Sequence, residues 1–151
     1  KMKKIVLLLV ISLFLITGCG SKTAITAEDF KETLEQDYEI YNLLENDQYE
    51  YLEGNYTIYF GEELLSRLDF YQLSDLDHAV YFYQENQKTV SDNQSNSVSE
   101  KEQSGDNYKK YTLETADTYY VVEYVDKTAL YAEVDLEYKE ELNNILDELG
   151  Y

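Results

Sequence analysis

The sequence predicts an α+β fold, a two-layer sandwich in which an antiparallel sheet of about five strands carries about three helices on one face. Segments with helical periodicity alternate with short runs of β-prone residues along the chain. The runs in the C-terminal third are separated by very short turns, which is typical of antiparallel neighbours. The chain has 151 residues, the size of one domain. The predicted order of elements is α-β-β-α-β-β-β-α.

The first helix is predicted from its N-terminal signals. Thr26 and Asp29 have the spacing of a capping box, in which each side chain accepts a hydrogen bond from the other residue's backbone. Ile25 and Phe30 have the spacing of a hydrophobic staple across the same cap. We therefore expect a helix that begins after Thr26 and ends near Gln36.

Two strands are predicted to follow this helix. Residues 38–44 fit a strand and an extension of the helix equally well, and residues 45–55 are polar and should form a turn. Residues 56–60 are rich in β-branched and aromatic side chains, and residues 65–73 alternate in polarity. Both segments are therefore predicted strands.

A second helix should begin at Ser74, with Asp77 three residues later, and should end near Lys88. The residues that recur at helical spacing are Leu73, Leu76, Val80, Tyr83 and Gln87. Residues 89–107 are almost entirely polar, so we expect a long flexible surface loop there.

The clearest strand signals lie in the C-terminal part. Residues 108–114, 119–125 and 129–134 read as three strands of a meander with short turns between them. Asp135 should cap a last helix that ends at Gly150. The apolar stripe of this helix comprises Tyr138, Leu142, Ile145 and Leu149.

The first 18 residues have the organisation of a signal peptide. Lys3 and Lys4 precede an apolar run from Ile5 to Ile16. As a helix, twelve residues extend about 18 Å, against roughly 30 Å for the hydrocarbon core of a bilayer. The run is therefore too short for a comfortable span and has the length of a signal-peptide core.

Residues 15–19, Leu-Ile-Thr-Gly-Cys, resemble the lipobox of bacterial lipoproteins. The resemblance implies cleavage between Gly18 and Cys19 and a diacylglyceryl thioether on Cys19, the only cysteine of the chain. Residues 1–18 are then the signal peptide, 19–25 a lipidated tether and 26–151 one domain. The expected location is the outer face of the cytoplasmic membrane, held by the lipid.

The mature part is also similar to small uncharacterised lipoproteins of Gram-positive bacteria. The similarity rests on three segments, ITAEDFKETLE (25–35), YKKYTLETADTYYVVEYVDKTALYAEVD (108–135) and YKEELNNILDELGY (138–151). It is a pattern of strands and turns without a catalytic motif, so it implies the lipoprotein class and no activity.

Charge restricts the classes of partner. Removal of Lys1, Lys3 and Lys4 with the signal peptide leaves 9 basic against 31 acidic residues, a formal charge of −22. Such a surface repels the phosphates of nucleic acids and of anionic lipids, so nucleic-acid binding is excluded as a function class. The 17 tyrosines and 5 phenylalanines suit both half-buried strands and binding surfaces.

No catalytic or cofactor motif is present in the sequence. Asp75 and His78 lie one helical turn apart, as two metal ligands would, but His78 is the only histidine, and we expect it on an exposed helix surface. Because the chain has 31 acidic residues, a catalytic pair of carboxylates of the glycosidase type remains an alternative. The candidate residues for weak calcium binding are Glu45, Asp47, Glu50 and Glu53, and they lack the spacing of a calcium loop.

The sequence therefore favours a non-enzymatic, membrane-anchored interaction domain without a cofactor. It would present a tyrosine-bearing surface, or the 89–107 segment, to a protein or cell-wall partner. An immunity or inhibitor protein acting at the cell's own surface is one form of this interpretation. The alternatives are a carboxylate-based hydrolase of wall glycans and an acidic cation- or solute-binding protein.

The lipid anchor predicts the behaviour of Cys19→Ser. Each buried methylene of an acyl chain contributes about 0.8 kcal/mol, so losing both chains should move the protein from the membrane fraction to the soluble fraction. Fractionation and intact mass measure this. Ser21→Ala, two residues away, should stay membrane-bound. A wild-type product with a free thiol would contradict the prediction.

Overall fold

A computed structural model describes residues 20–93 and 96–151, which form one six-stranded antiparallel sheet with three helices. This confirms the α+β class and the antiparallel sheet. The helices are α1 (Ala27–Leu34), α2 (Leu76–Asn93) and α3 (Lys139–Leu149). The strands are β1 (Leu52–Phe60), β2 (Ser66–Leu73), β3 (Ser99–Ser104), β4 (Tyr108–Glu114), β5 (Thr118–Val125) and β6 (Thr128–Asp135). They are ordered β1-β2-β6-β5-β4-β3 across the sheet.

Helix α1 begins with the predicted capping box. The Asp29 backbone N–H donates to Thr26 Oγ1 at 3.1 Å, and the Thr26 N–H donates to Asp29 Oδ2 at 2.9 Å. The helix ends at Leu34, two residues earlier than expected. Phe30 and Leu34 are buried, and Ile25 packs against the same core.

The helices lie on both faces of the sheet, so the expectation of two layers with all helices on one face is wrong. Val121 packs with the buried side chains of α1 and α3, whereas its neighbour Val122 packs with Tyr83 and Val90 of α2. Consecutive strand residues point to opposite faces. We call these two surfaces the α1/α3 face and the α2 face. The run Tyr-Tyr-Val-Val-Glu-Tyr-Val in β5 is apolar enough on both faces to require this cover.

Helix α2 differs from its prediction at both ends. Asp75, not Ser74, caps it, because Asp75 Oδ1 accepts the backbone N–H of His78 at 2.9 Å. The helix also continues to Asn93, past the expected end at Lys88. Its most deeply buried side chains are Ala79, Tyr83 and Val90, whereas Leu76, predicted to face the core, is half exposed.

The segment 89–107, predicted as one long loop, contains the end of α2 and strand β3. β3 pairs along its whole length with β4 and forms one edge of the sheet. Its sequence, Ser-Glu-Lys-Glu-Gln-Ser, buries no residue and carries none of the usual strand signals. A charged edge strand of this kind discourages pairing with another chain.

The opposite edge, β1, is partly covered by Tyr41. The Tyr41 N–H donates to the Thr57 carbonyl at 2.9 Å and the Thr57 N–H to the Tyr41 carbonyl at 2.8 Å. Residues 38–44 are therefore neither a full strand nor a helix extension. Gly54, expected in a turn, lies in β1, where a Cβ atom would come within 2.7 Å of the Cβ of Ala27. Glycine thus allows α1 to pack closely on β1.

The C-terminal meander and its helix are confirmed. β4, β5 and β6 are joined by short turns, and α3 ends at Gly150 in the left-handed conformation with φ of 84°. A short 3₁₀ turn, Leu136–Tyr138, precedes α3, and Asp135 does not cap it through its side chain. The buried residues of α3 are Leu142, Ile145, Leu146 and Leu149. The last residue, Tyr151, is also buried and its hydroxyl contacts Thr128 Oγ1 at 2.5 Å.

Burial raises the pKa of many tyrosines because it disfavours the phenolate. Burial and a hydrogen bond to Glu100 raise the pKa of Tyr111 to about 12, and burial raises the pKa of Tyr151 to about 12. In the same way, mainly through burial, the pKa values of Tyr71, Tyr83 and Tyr131 lie above the ordinary range. The folded state therefore keeps protons that the unfolded state loses.

Stability should fall as pH rises between about 10 and 12. A tyrosine of the unfolded chain ionises near pH 10, whereas these tyrosines ionise higher in the folded chain, so alkali favours unfolding. We expect tyrosinate absorbance to rise together with the loss of far-ultraviolet circular dichroism. Tyr151→Phe should reduce the pH slope of unfolding by about 1.4 kcal/mol per pH unit in this window. Independent titration of all tyrosines near pH 10 with full retention of structure would contradict the prediction.

Candidate functional site

Gly18 and Cys19, the predicted cleavage and lipidation sites, lie outside the described residues. The structure begins at Gly20, whose carbonyl accepts the backbone N–H of Asp106 at 3.4 Å. The residues that follow show how the chain enters the domain. In the described part of the chain, 20–93 and 96–151, no helix is both long enough and apolar enough to cross a membrane.

The segment 20–25 is built into the domain by Lys22. The Lys22 N–H donates to Asn107 Oδ1 at 2.9 Å, and Asn107 Nδ2 donates to the Lys22 carbonyl at 2.8 Å. Lys22 Nζ also lies 2.5 Å from Glu123 Oε1, and Glu123 is fully buried on β5. Ala24 and Ile25 pack against the core. Residues 20–25, predicted to belong to the tether, are therefore in contact with the domain.

His78 and Asp75 contact each other rather than converging on a further ligand. His78 Nδ1 lies 2.8 Å from Asp75 Oδ1, and both side chains are half exposed. The hydrogen bonds from the His78 backbone N–H and then from its side chain hold the pKa of Asp75 below its usual value. Within the described residues, no group of three or more His, Cys, Asp or Glu side chains is placed to hold a metal ion.

The acidic residues considered for calcium do not gather around one point. Glu45, Asp47 and Glu50 are exposed beside the 3₁₀ turn Asn46–Gln48. Glu53 lies in β1 instead, where its Oε2 is 3.1 Å from Lys127 Nζ.

The sheet brings two carboxylates together on the α2 face, and the hydrolase alternative depends on this pair. Asp69 and Glu133 occupy diagonal positions of the paired strands β2 and β6. Burial raises the pKa of Asp69, although Thr57 Oγ1 donates to it at 2.7 Å and Arg67 lies 3.1 Å away. Glu133 accepts from the hydroxyls of Tyr120 and Tyr131. Both carboxylates are therefore bound by neighbouring side chains.

A groove of about 490 Å³ beside the first turns of α2 is lined mainly by aromatic and apolar side chains. Its lining residues are Tyr51, Leu73, Asp77, His78, Tyr81, Phe82, Glu85 and Asn86, and we call it the aromatic groove. The side chain of Tyr81 is 62 % exposed and that of Tyr51 is 40 % exposed. Large aromatic rings left open in a concave site are typical of binding surfaces.

Ring packing fixes the walls of the aromatic groove. The His78 imidazole stacks on Tyr51 with centroids 4.6 Å apart and an interplanar angle of 12°. Phe82 packs on Tyr71 of β2 with centroids 4.8 Å apart. These contacts hold two walls rigidly, whereas Tyr81 projects from the helix surface.

The sequence contains a feature that indicates the aromatic groove, and the apolar stripe predicted for α2 did not include it. Tyr81, Phe82 and Tyr83 are consecutive, and successive helix residues point about 100° apart. Three such rings cannot all face the core. Tyr83 is buried, Phe82 is half-buried and Tyr81 is exposed. The ring of Tyr81 therefore belongs to the protein surface.

The aromatic groove is electrostatically negative. Asp77 and Glu85 line it, and its one basic lining group is the His78 imidazole, which faces the ionised Asp75. The groove therefore combines open tyrosine rings with carboxylates, which is a surface suited to cationic groups.

Comparison with known proteins identifies no relationship: no family model matches the chain, and no curated protein and no solved structure is similar to it. The function must therefore be argued from the residues of the site.

Proposed function

We propose that this protein is a lipid-anchored, non-enzymatic binding protein on the outer face of the cytoplasmic membrane, and that its aromatic groove holds a cationic segment of a peptide or protein. The observation that carries the proposal is the groove itself, with open tyrosine rings between carboxylate walls. Capture of cationic peptides before they reach the bilayer is the role that this combination suits best. It corresponds to an immunity or inhibitor type of function.

The anchor and the path of the chain support a location close to the membrane. The Leu-Ile-Thr-Gly-Cys pattern ends at Cys19, and Gly20 already contacts Asp106 in the β3–β4 turn. That turn, Tyr51 and the start of α2 all lie at the same end of the sheet. A lipid on Cys19 would therefore place the aromatic groove at the membrane-facing end of the domain.

The chemistry of the aromatic groove selects a cationic, partly apolar ligand. A guanidinium or ammonium group gains about 0.5–1 kcal/mol over an exposed aromatic face. Asp77 and Glu85 can pair with such a group, while Leu73 and Phe82 offer apolar contact. The charge of −22 expected for the mature chain adds long-range attraction and speeds the encounter.

A peptide titration tests this proposal. Because the chain contains no tryptophan, one tryptophan in a ten-residue peptide of alternating arginine and leucine reports binding by its own fluorescence. Tyr81→Ala should weaken binding about 2- to 5-fold, the value of one exposed cation–π contact. Glu85→Gln should weaken it to a similar degree by removing a carboxylate.

The matched control is Gln84→Ala, an exposed position of the same helix outside the groove, which should leave the affinity unchanged. A second peptide, with glutamate in place of arginine, should not bind. Equal affinity of the wild-type protein for both peptides, or no effect of Tyr81→Ala, would refute the proposal.

A further inference from the structure

Positive charge is concentrated on the α1/α3 face, on the side of the sheet that the helices leave open. Helices α1 and α3 pack mainly on β1, β2 and β6, and α3 reaches β4 and β5 through the side chains of Lys139 and Asn143 in its first turns. Nine basic residues lie in the described part of the chain, and four of them gather on or beside this surface. They are Lys22, Lys101, Lys110 and Lys139. Such a grouping of basic residues is unexpected in a chain with 31 acidic residues.

Three of these lysines line one cavity of about 320 Å³. We call it the lysine cavity and define it by Lys101, Lys110, Lys139, Thr112 and Asn143. Thr112 and Asn143 add a hydroxyl and an amide, both neutral hydrogen-bond donors. The cavity is thus polar, unlike the aromatic groove on the opposite face.

Strand register sets the spacing of the lysines. Lys101 of β3 lies opposite Thr112, and Lys110 of β4 lies opposite Gln103, so the two lysines are diagonal neighbours. Side chains at such positions are about 7–8 Å apart, which is close enough for one anion to contact both. Like charges at this distance repel each other, so an anion between them relieves a cost present in the empty cavity.

Neighbouring carboxylates cancel this charge only in part. Lys139 pairs with Glu114, and Lys110 Nζ lies 3.4 Å from Glu123 Oε2. Glu123 is already paired through its other oxygen with Lys22, at 2.5 Å. Lys101 forms no ion pair with any residue in the described ranges 20–93 and 96–151. The cavity therefore keeps a positive charge within a protein of strongly negative net charge.

We propose that the lysine cavity binds the phosphate group of a glycerol- or sugar-phosphate unit. Lysine amines act as point charges that suit phosphate oxygens, and Thr112 and Asn143 can donate to the same group. A volume of about 320 Å³ exceeds that of phosphate alone and leaves room for an attached polyol or sugar.

The position of the cavity favours a soluble or polymeric phosphate over a lipid headgroup. Lys139 and Glu114 lie at the end of the sheet opposite Gly20 and Asn107. If the anchor is on Cys19, as the proposed function holds, the Lys139 end of the lysine cavity lies away from the membrane, whereas Lys110 lies nearer the anchored end. A phosphate that enters at the Lys139 end would then come from the wall side rather than from the bilayer that holds the protein.

Titration of the full mature protein with glycerol phosphate tests the inference, with amide chemical shifts as the measurement at constant ionic strength. Saturable shifts should appear at Thr112 and Asn143. Lys101→Gln should weaken the binding at least 5-fold. Lys101 is exposed and unpaired, so this variant should fold normally, and its thermal unfolding would verify that.

Lys109→Gln is the matched control. Lys109 is an exposed lysine of the same strand as Lys110, on the opposite face, and its loss changes the net charge by the same amount as Lys101→Gln. Binding unchanged in Lys109→Gln supports a defined site, whereas equal weakening in both variants would overturn it. Absence of saturable shifts would also overturn it.

Vesicles containing phosphatidylglycerol separate the two sources of phosphate. Binding of glycerol phosphate without binding of these vesicles supports the wall-side source. Binding that depends on Lys101 and occurs only with vesicles would overturn that assignment. The cationic-peptide titration of the aromatic groove is independent of this cavity, so failure of one proposal is distinguishable from failure of the other.

Discussion

A carboxylate with no solvent exposure, Glu123 on the inner strand β5, sets the arrangement of the N-terminal segment and of the open side of the sheet. Burying an isolated carboxylate is prohibitively costly, so Glu123 requires compensating charges. Lys22 and Lys110 supply them, one from the chain entrance and one from the neighbouring strand. Lys22 lies three residues after Cys19, the expected lipidation site. The ion pair that neutralises Glu123 therefore also fixes the position of the chain just after that site.

The two faces of the sheet consequently have different chemistry. The α2 face ends in the aromatic groove, where Tyr51 and Tyr81 stand open between carboxylates. The α1/α3 face carries the lysine cavity, between β3, β4 and the first turns of α3. If both proposals hold, opposite charges on opposite faces would let one small domain hold a cationic ligand on one face and an anionic ligand on the other. Separate faces also mean that the two ligands would not compete for space.

Local signals in the sequence predicted much of the fold. The Thr26–Asp29 box, the meander from β4 to β6 and the stop at Gly150 each depend on residues a few positions apart. Strand β3 escaped prediction because an edge strand without buried residues shows no hydrophobic alternation. The face of the sheet that α2 covers was predicted wrongly, because periodicity shows that a helix has an apolar stripe but not which face of a sheet that stripe packs on.

The sites were less predictable, since they depend on residues far apart in the chain. Lys22 and Glu123 are separated by 101 positions, and no local pattern links them. The aromatic groove joins Tyr51, from before β1, to the surface of α2. The run Tyr81–Tyr83 indicated a surplus aromatic ring, but only the packed sheet shows where that ring lies. His78, by contrast, was expected to be exposed on its helix and is half exposed there.

The free energy of unfolding of Lys22→Met, measured by urea denaturation, tests the central role of Glu123 most directly. Removing one partner of a buried ion pair should cost about 2–4 kcal/mol, and the cost should largely disappear when Glu123→Gln is already present. Lys31→Met, which breaks only the exposed pair with Glu28, should change the free energy of unfolding far less, because water screens that pair. If Lys22→Met is as mild as Lys31→Met, Lys22 does not sustain the buried carboxylate, and the account of the N-terminal segment is wrong.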